Sequence, residues 1–491
     1  MSTKMALGEV YSINRAKPKQ GRATSRGMIA ALTEHFRCPD EFLPLELSGQ
    51  LSADSGYFQF DENTVCYGRS AAGHRAGDVR SRLYCTSQDV RNNGPTVQLP
   101  FDPTEIINNL RRERYVRHTS WNELSVGNRW ARNIYYLIRP WLSVGVRKHL
   151  QRAYTAGWKH TAFPRWPVDT SVEQISEQVL LRSMKAQGID RVPFIWFWPD
   201  GARGCVLMTH DVEAQIGYDH CRELMNLDKE FEIKASFQIV PEGSYKVSDS
   251  LLEEMRDRGF EVNVQDLNHD GYLFADRDEF LRRAKKINDY GKAFGAKGFR
   301  AAVLYRNLEW MDALEFSYDM SVPNVAHLDP QHGGCCSVMP YFVGDTLEIP
   351  LTTTQDYMLF HILNDYSLDL WKTQAASIRE KHGLISFLVH PDYIIEQRAR
   401  NTYHDLLNWL SELRSQRQLW FALPGEVDEW WRARRQMHLV KRGGEWIIDG
   451  PMADHAVLAY ATIANYRVAY EFDRSPRIVV RPESRRAGTV S

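Results

Sequence analysis

The sequence predicts an α/β protein. A parallel sheet, doubly wound or closed into a barrel, is expected between a mixed α+β N-terminal region and a small β-rich C-terminal appendix. Three observations carry this. Apolar runs with strand character begin near Cys205, Ala235, Phe260, Gly298, Ser317, Thr346, Leu384 and Leu419, and helix-like segments separate most of them. Earlier in the chain, short β-like runs at 56–60 and 64–68 are split by Gly, Asn and Pro and give way to amphipathic helices. Beyond Leu423-Pro424-Gly425 the alternation stops, and a segment turning at Gly443-Gly444 has the form of a hairpin.

Composition bounds the rest. A chain of 491 residues suits about three domains, or one large barrel with additions. The formal net charge of −1 gives no global attraction to nucleic acid or to an anionic membrane. The basic, polar start has no apolar stretch of the kind an export signal needs, so residues 1–27 read as a disordered tail. The longest apolar stretch, 134–146, is interrupted by Arg139 and Pro140 and is too short to cross a bilayer. The seven cysteines (38, 66, 85, 205, 221, 335 and 336) form no C-x-x-C, which fits a reduced, cytoplasmic protein.

The elements follow in order. Residues 28–190 form the mixed N-terminal region. Asp102-Pro103-Thr104-Glu105 opens a helix to about residue 115, with proline suited to a first turn. A basic helix is expected over 127–156. Its Arg129, Arg132, Arg139, Arg147, Lys148 and Arg152 read as a solvated face, with peripheral contact to lipid headgroups or acidic glycans left open. A third helix is expected over 171–187. Within 191–425, helices are expected over 218–230, 249–258, 276–294, 366–381 and 398–416, the second opened by a capping box from Ser250 to Glu253. The appendix, 426–480, starts with a Trp- and Arg-rich helix and the hairpin. Residues 466–472 follow as a strand, while the alanine-rich 456–462 suits strand or helix. Residues 481–491 read as a second tail.

The stretch Gly204 to Glu213 is the most informative. An apolar strand stops at Thr209-His210-Asp211, which is how a carboxylate reaches the rim of a barrel. Further segments end at or near the later strands: Gln265 to Gly271, Gly298-Phe299-Arg300, Asp319-Met320-Ser321 and Leu388-Val389-His390. Read in this order, they resemble the motifs of the polysaccharide deacetylase family, the NodB-like carbohydrate esterases, over about residues 200–395. The first motif of that family reads T-F-D-D, and Val212 here replaces its second, metal-binding Asp. Its H-x-x-x-H falls on Gln265 and His269, its Arg-x-Pro on Arg300 with Ala302 in place of Pro, and its Leu-then-His on Leu388 and His390.

The resemblance implies a distorted (β/α) barrel and removal of acetyl groups from amino sugars or sugar esters. Asp211 would take a proton from the attacking water. Arg300 would hold that carboxylate by a two-pronged bond. His390 would protonate the leaving group, with Asp319 fixing its tautomer. Glu213 would stand in for the lost metal-binding acid, with His269 and Gln265, or Asp266, completing the set. So few imidazoles would shift preference from Zn²⁺ toward Mn²⁺ or Mg²⁺. The leading expectation is a hydrolase acting on an acetylated carbohydrate, a nucleotide- or lipid-linked sugar or a glycan precursor. The alternative is a carbohydrate-binding pseudoenzyme on the same barrel, which the departures at Val212, Gln265 and Ala302 favour. Two further features read as packing. These are the aromatic run 193–199 and the loop bearing His327, His332, Cys335 and Cys336, whose spacing fits no closed zinc site and which also suits a substrate loop.

Overall fold

A computed structural model describes residues 25–116 and 157–472. The expected basic helix over 127–156, residues 1–24 of the first tail and the whole of the second tail lie outside the described residues. Helix α1 (Ser25–Phe36) begins within the segment expected as tail. It packs with α2 (Pro103–Arg111) over three short strands. Of these, β1 (Leu45–Leu47) pairs parallel with β5 (Thr96–Leu99), and β4 (Arg91–Asn93) pairs antiparallel with β5. A separate hairpin joins β2 (Gly56–Gln59) to β3 (Val65–Gly68). Helix α2 starts where Asp102 accepts from the amides of Thr104 and Glu105 with Pro103 in the first turn. Helix α3 (Ser171–Gln187) ends at Gly188, whose left-handed φ of 64° suits glycine.

The next strand, β6 (Arg191–Ile195), does not join the main sheet. It pairs antiparallel with β18 (Leu458–Ala464), which in turn pairs with β19 (Arg467–Phe472). The appendix is therefore stitched to the strand before the barrel, and the alanine-rich segment is a strand. Packing decides it: Ala459 and Ala461 are fully buried, where larger side chains would collide. The aromatic run lies in the same seam. Phe194, Trp196, Phe197 and Trp198 are all buried, and Arg434 of α9 (Pro424–Gln436) donates to the carbonyls of Ile195, Trp196 and His35. The expected hairpin is β16 (His438–Arg442) with β17 (Glu445–Asp449), turning at Gly443 and Gly444, both at positive φ.

The main sheet runs β12 (Tyr341–Val343), β13 (Thr346–Glu348), β11 (Tyr318–Asp319), β10 (Gly298–Arg300), β9 (Glu261–Gln265), β8 (Ala235–Ile239), β7 (Cys205–Val212), β14 (Leu384–Leu388). All its neighbours are parallel except β12 with β13. A ninth strand, β15 (Trp420–Phe421), pairs with the first half of β7, while β8 pairs with the second half. The ring is completed without a full ladder. Thr353 donates its amide to Ser386 O, and Thr352 Oγ1 links Leu384 O to the Ser386 amide. This is a distorted barrel, closed on one side by threonine hydroxyls.

Helices α4 (Gln215–Glu230), α5 (Asp249–Asp257), α6 (Arg277–Ala293), α7 (Asp369–Glu380) and α8 (Gln397–Ser415) connect the strands. Their apolar faces, such as Leu224, Leu252, Ile287, Ile378 and Leu406, share one core with outward strand residues Val206, Met208, Val262 and Phe387. The expected capping box at Ser250 is not formed, because α5 starts at Asp249 behind Ser248. No helix among the described residues is long and apolar enough to cross a membrane.

Candidate active site

Successive strand residues point to opposite faces, so Thr209 and Asp211 share one face of β7 and His210 takes the other. On the outer face, His210 meets Asp228 of α4 at 2.9 Å, and Tyr403 of α8 donates to the same carboxylate. The inner face is polar to an unusual degree for a core: Ser236, Gln238, Asn263, Gln265 and Arg300 are all fully buried. Buried polar groups need partners: Gln238 donates to Ser236, Asn263 to Glu261, and Gln265 and Arg300 both donate to Asp211.

Arg300 Nη1 donates to Asp211 Oδ1 at 2.7 Å and to Thr209 Oγ1 at 2.9 Å, and its Nε donates to Met320 O at 3.0 Å. The expected two-pronged bond is thus a single one. The guanidinium spends its other donor on the β11 end of the barrel, tying three strands to one cation. Burial pushes the Asp211 carboxyl up from its ordinary value, with Arg300 and then His390 opposing the rise. Gln265 Nε2 donates to Asp211 Oδ2 at 3.0 Å and reaches Glu213 Oε1 at 3.3 Å, bridging the two acids.

Glu213, just past the end of β7, gathers nitrogen around one oxygen. His269 Nε2 lies 2.8 Å from its Oε1 and His390 Nε2 lies 3.4 Å away. His269 gets there because the chain after β9 bends through left-handed residues, Asp266 (φ 50°) and His269 itself (φ 58°). Such conformations are costly for non-glycine residues and concentrate where geometry serves a site. Burial raises the Glu213 carboxyl, but His269 and His390 outweigh it and hold the acid well below its ordinary value. For His390, burial favours the neutral ring, yet Asp356 and Glu213 together raise it well above 6.5.

The partner of His390 corrects the expectation for Asp319. Asp356 Oδ1 lies 2.6 Å from His390 Nδ1, and Asp356 Oδ2 accepts the His390 amide at 2.7 Å. Asp319 instead accepts from Ser321 N and Oγ and lies against Glu348. The cause is strand alternation. Tyr318 takes the inward position beside Asn263, so its neighbour Asp319 must face away. Asp356 was missed because it follows no regular strand. It sits between β13 and a π-helical turn at Met358–Leu363, where periodicity is silent. The rings of Tyr357 and His361 pack on Tyr393, and Tyr393 lies 4.8 Å from the His390 ring, forming an aromatic rim. Asp392 is also close by; burial pushes its carboxyl up to about 6.

Two overlapping sets could hold a cation. Ligand atoms of Asp211, Glu213 and His390 all lie within 4.8 Å of one another, the only such group of His, Cys, Asp or Glu among the described residues. The set expected from the sequence, Glu213, Gln265 and His269, also converges, on Glu213 Oε1. Gln265 Oε1 is fully buried and has no hydrogen-bond partner among the described residues. A half-turn of that amide would offer an oxygen instead of a nitrogen to a positive ion between the acids. The loop with His327, His332, Cys335 and Cys336 forms no such group, and burial pushes the Cys335 thiol well up.

No protein-family model matches the chain, and no curated protein matches it. Solved structures do resemble it. A protein of Mycobacterium smegmatis assigned as a polysaccharide deacetylase is 18% identical over 51% of this chain and 98% of its own, with a TM-score of 0.40. The allantoinase PuuE is 13% identical over 48% of this chain and 92% of its own, with a TM-score of 0.38. A family 4 acetyl xylan esterase of Clostridium thermocellum, solved with a cobalt ion, is 15% identical over 46% of this chain and 91% of its own, with a TM-score of 0.31.

Proposed function

We propose that this protein is a hydrolase of the polysaccharide-deacetylase type, removing an acetyl group from an N- or O-acetylated sugar or glycan precursor. One observation carries the reading. A carboxylate held by arginine (Asp211) and an imidazole held by a carboxylate (His390) face the same acid, Glu213, at adjacent strand ends. That is a base and an acid in one pocket, each with its own orienting partner.

In this reading Asp211 accepts the proton of a water as its oxygen attacks the acetyl carbonyl. Arg300 keeps the carboxylate ionised despite burial and fixes its direction. His390, charged at neutral pH, then gives its Nε2 proton to the departing nitrogen or oxygen, while Asp356 holds Nδ1 and stabilises the charge. The bond from the acetyl carbon to that nitrogen or oxygen breaks, acetic acid leaves and ionises in solvent, and the proton held by Asp211 passes through water to His390, which resets both groups.

A divalent ion would be held by Glu213, His269 and Gln265, because only that set leaves both Asp211 and His390 free for proton transfer. When bound, it would polarise the acetyl carbonyl as a Lewis acid. One carboxylate, one imidazole and one amide oxygen suit Mn²⁺ or Mg²⁺ better than Zn²⁺.

Acetate release from a panel of acetylated sugars, with Asp211→Asn as control, tests the reading. The expected result is release by the natural protein and a loss of about 10²–10⁴-fold in the variant. Equal release by both would remove Asp211 from its role. A second reading, a carbohydrate-binding pseudoenzyme, is favoured by one feature: His269, His390 and Gln265 already satisfy Glu213 without an ion. It predicts sugar binding with no acetate release and no retained metal on elemental analysis.

A further inference from the structure

A second cavity, of about 220 Å³, opens between the β2–β3 unit and the loop over 326–333. Tyr57, Asp78, Tyr115, Phe163, His327 and His332 line it. Its walls are fixed. Tyr57 Oη donates to Tyr115 O and Tyr115 Oη to Gly334 O, both at 2.6 Å. The buried pair of Glu113 with Arg306 pins the loop, and Glu113 also accepts the Gly334 amide at 2.5 Å.

His327 is the unexplained group. It is 1% exposed, and neither ring nitrogen has a hydrogen-bond partner among the described residues. Leaving a buried polar group unsatisfied is costly, so such a group in a cavity wall calls for a ligand.

We propose that this cavity binds one neutral sugar ring, with His327 giving its N–H to one hydroxyl and accepting from another. Three lines of chemistry select that class. Burial pushes the imidazole down to about 4, opposed only in part by the Pro164 carbonyl, so the ring is neutral and has one donor and one acceptor to offer. Among the described residues no lysine or arginine lines the cavity and Asp78 does, so an anion would find no counter-charge there. Tyr57, Tyr115 and Phe163 supply aromatic surface for the C–H face of a sugar, whereas a wholly apolar guest would leave His327 unsatisfied. The volume is below the usual range for drug-sized ligands, about 300–1,000 Å³, and suits a single pyranose. The inference is independent of the role given to the Asp211 cluster.

Saturation-transfer NMR on the full chain, with glucose and N-acetylglucosamine as probes and acetate as the anionic control, tests it. Expected are a sugar signal in the natural protein and in Glu213→Gln, no acetate signal in Glu213→Gln, and at least a tenfold weaker sugar affinity in Val79→Trp, which fills the rim. His327→Leu should weaken binding similarly and His327→Gln, which keeps a donor and an acceptor, should largely retain it. Sugar binding that survives both Val79→Trp and His327→Leu would overturn the proposal. So would a signal lost only in Glu213→Gln, or no sugar signal in the natural protein. Thermal unfolding within a few degrees of the natural protein confirms that each variant is folded.

Discussion

Arg300→Met is the most informative single change. Arg300 and Asp211 are both buried, and among the described residues the guanidinium is the one cation bonded to that carboxylate. Removing it leaves Asp211, among the described residues, with the Gln265 amide as its side-chain hydrogen-bond donor and the His390 charge nearby. Breaking a buried pair from one side costs about 3–5 kcal/mol, because the remaining charge is uncompensated. Here protonation limits the loss. An unfolded aspartate titrates near 3.9, so keeping Asp211 neutral at pH 7 costs about 1.4 kcal/mol per pH unit over roughly three units, or about 4 kcal/mol. The sign follows directly. A carboxyl raised in the folded state destabilises above its unfolded value, and Asp211 is already raised in the natural protein, so the deficit relative to it should stay below about 4 kcal/mol at pH 7 and shrink toward pH 4. Urea unfolding of both proteins at pH 4.5, 5.5 and 7 measures it. A deficit that does not change with pH would refute the reasoning, since it would mean that lost packing and not a stranded charge is responsible.

Asp356→Asn should lower the His390 imidazole from its raised value. A His raised in the folded state stabilises below its unfolded value near 6.5 and loses that contribution as pH rises, so the natural protein should lose its advantage over Asp356→Asn above neutrality; ¹⁵N shifts of His390 follow the titration. Asp319→Asn should leave acetate release within about twofold and stability within about 1 kcal/mol, because burial and Asp319 already hold the neighbouring Glu348 carboxyl well above its ordinary value. A loss like that of Asp211→Asn would return Asp319 to the site. Mn²⁺ at about 100 times its dissociation constant should stabilise the protein by roughly 2.7 kcal/mol and leave Glu213→Gln unmoved, read as thermal midpoints. Arg434→Met should destabilise by about 2–4 kcal/mol, through the carbonyls of His35, Ile195 and Trp196 left without a donor, with unchanged acetate release per folded molecule.

What could be read in advance follows the physics of strands. Asp211, Arg300 and His390 stand at the ends of apolar runs, where a change from apolar to ionisable residues marks the barrel rim. The helix over 171–187 was legible from its period and the glycine behind it. Asp356 was not, since it comes from an irregular connection and reaches His390 across the sequence. Asp319 was misplaced for a related reason. In a strand as short as β11, one residue of register decides the face, and the bulky Tyr318 takes the inner position. The split of β6 from the barrel was equally hidden, because pairing with β18 joins segments far apart in the chain. Composition does not report that kind of contact.

In the proposed function Asp211 and His390 act as base and acid in one pocket. The pH dependence of acetate release by the full-length protein measures both at once. A bell-shaped profile is predicted, with an acidic limb that moves up in Arg300→Met and a basic limb that moves down in Asp356→Asn. A profile with a single limb, or limbs unmoved by those two substitutions, would contradict it.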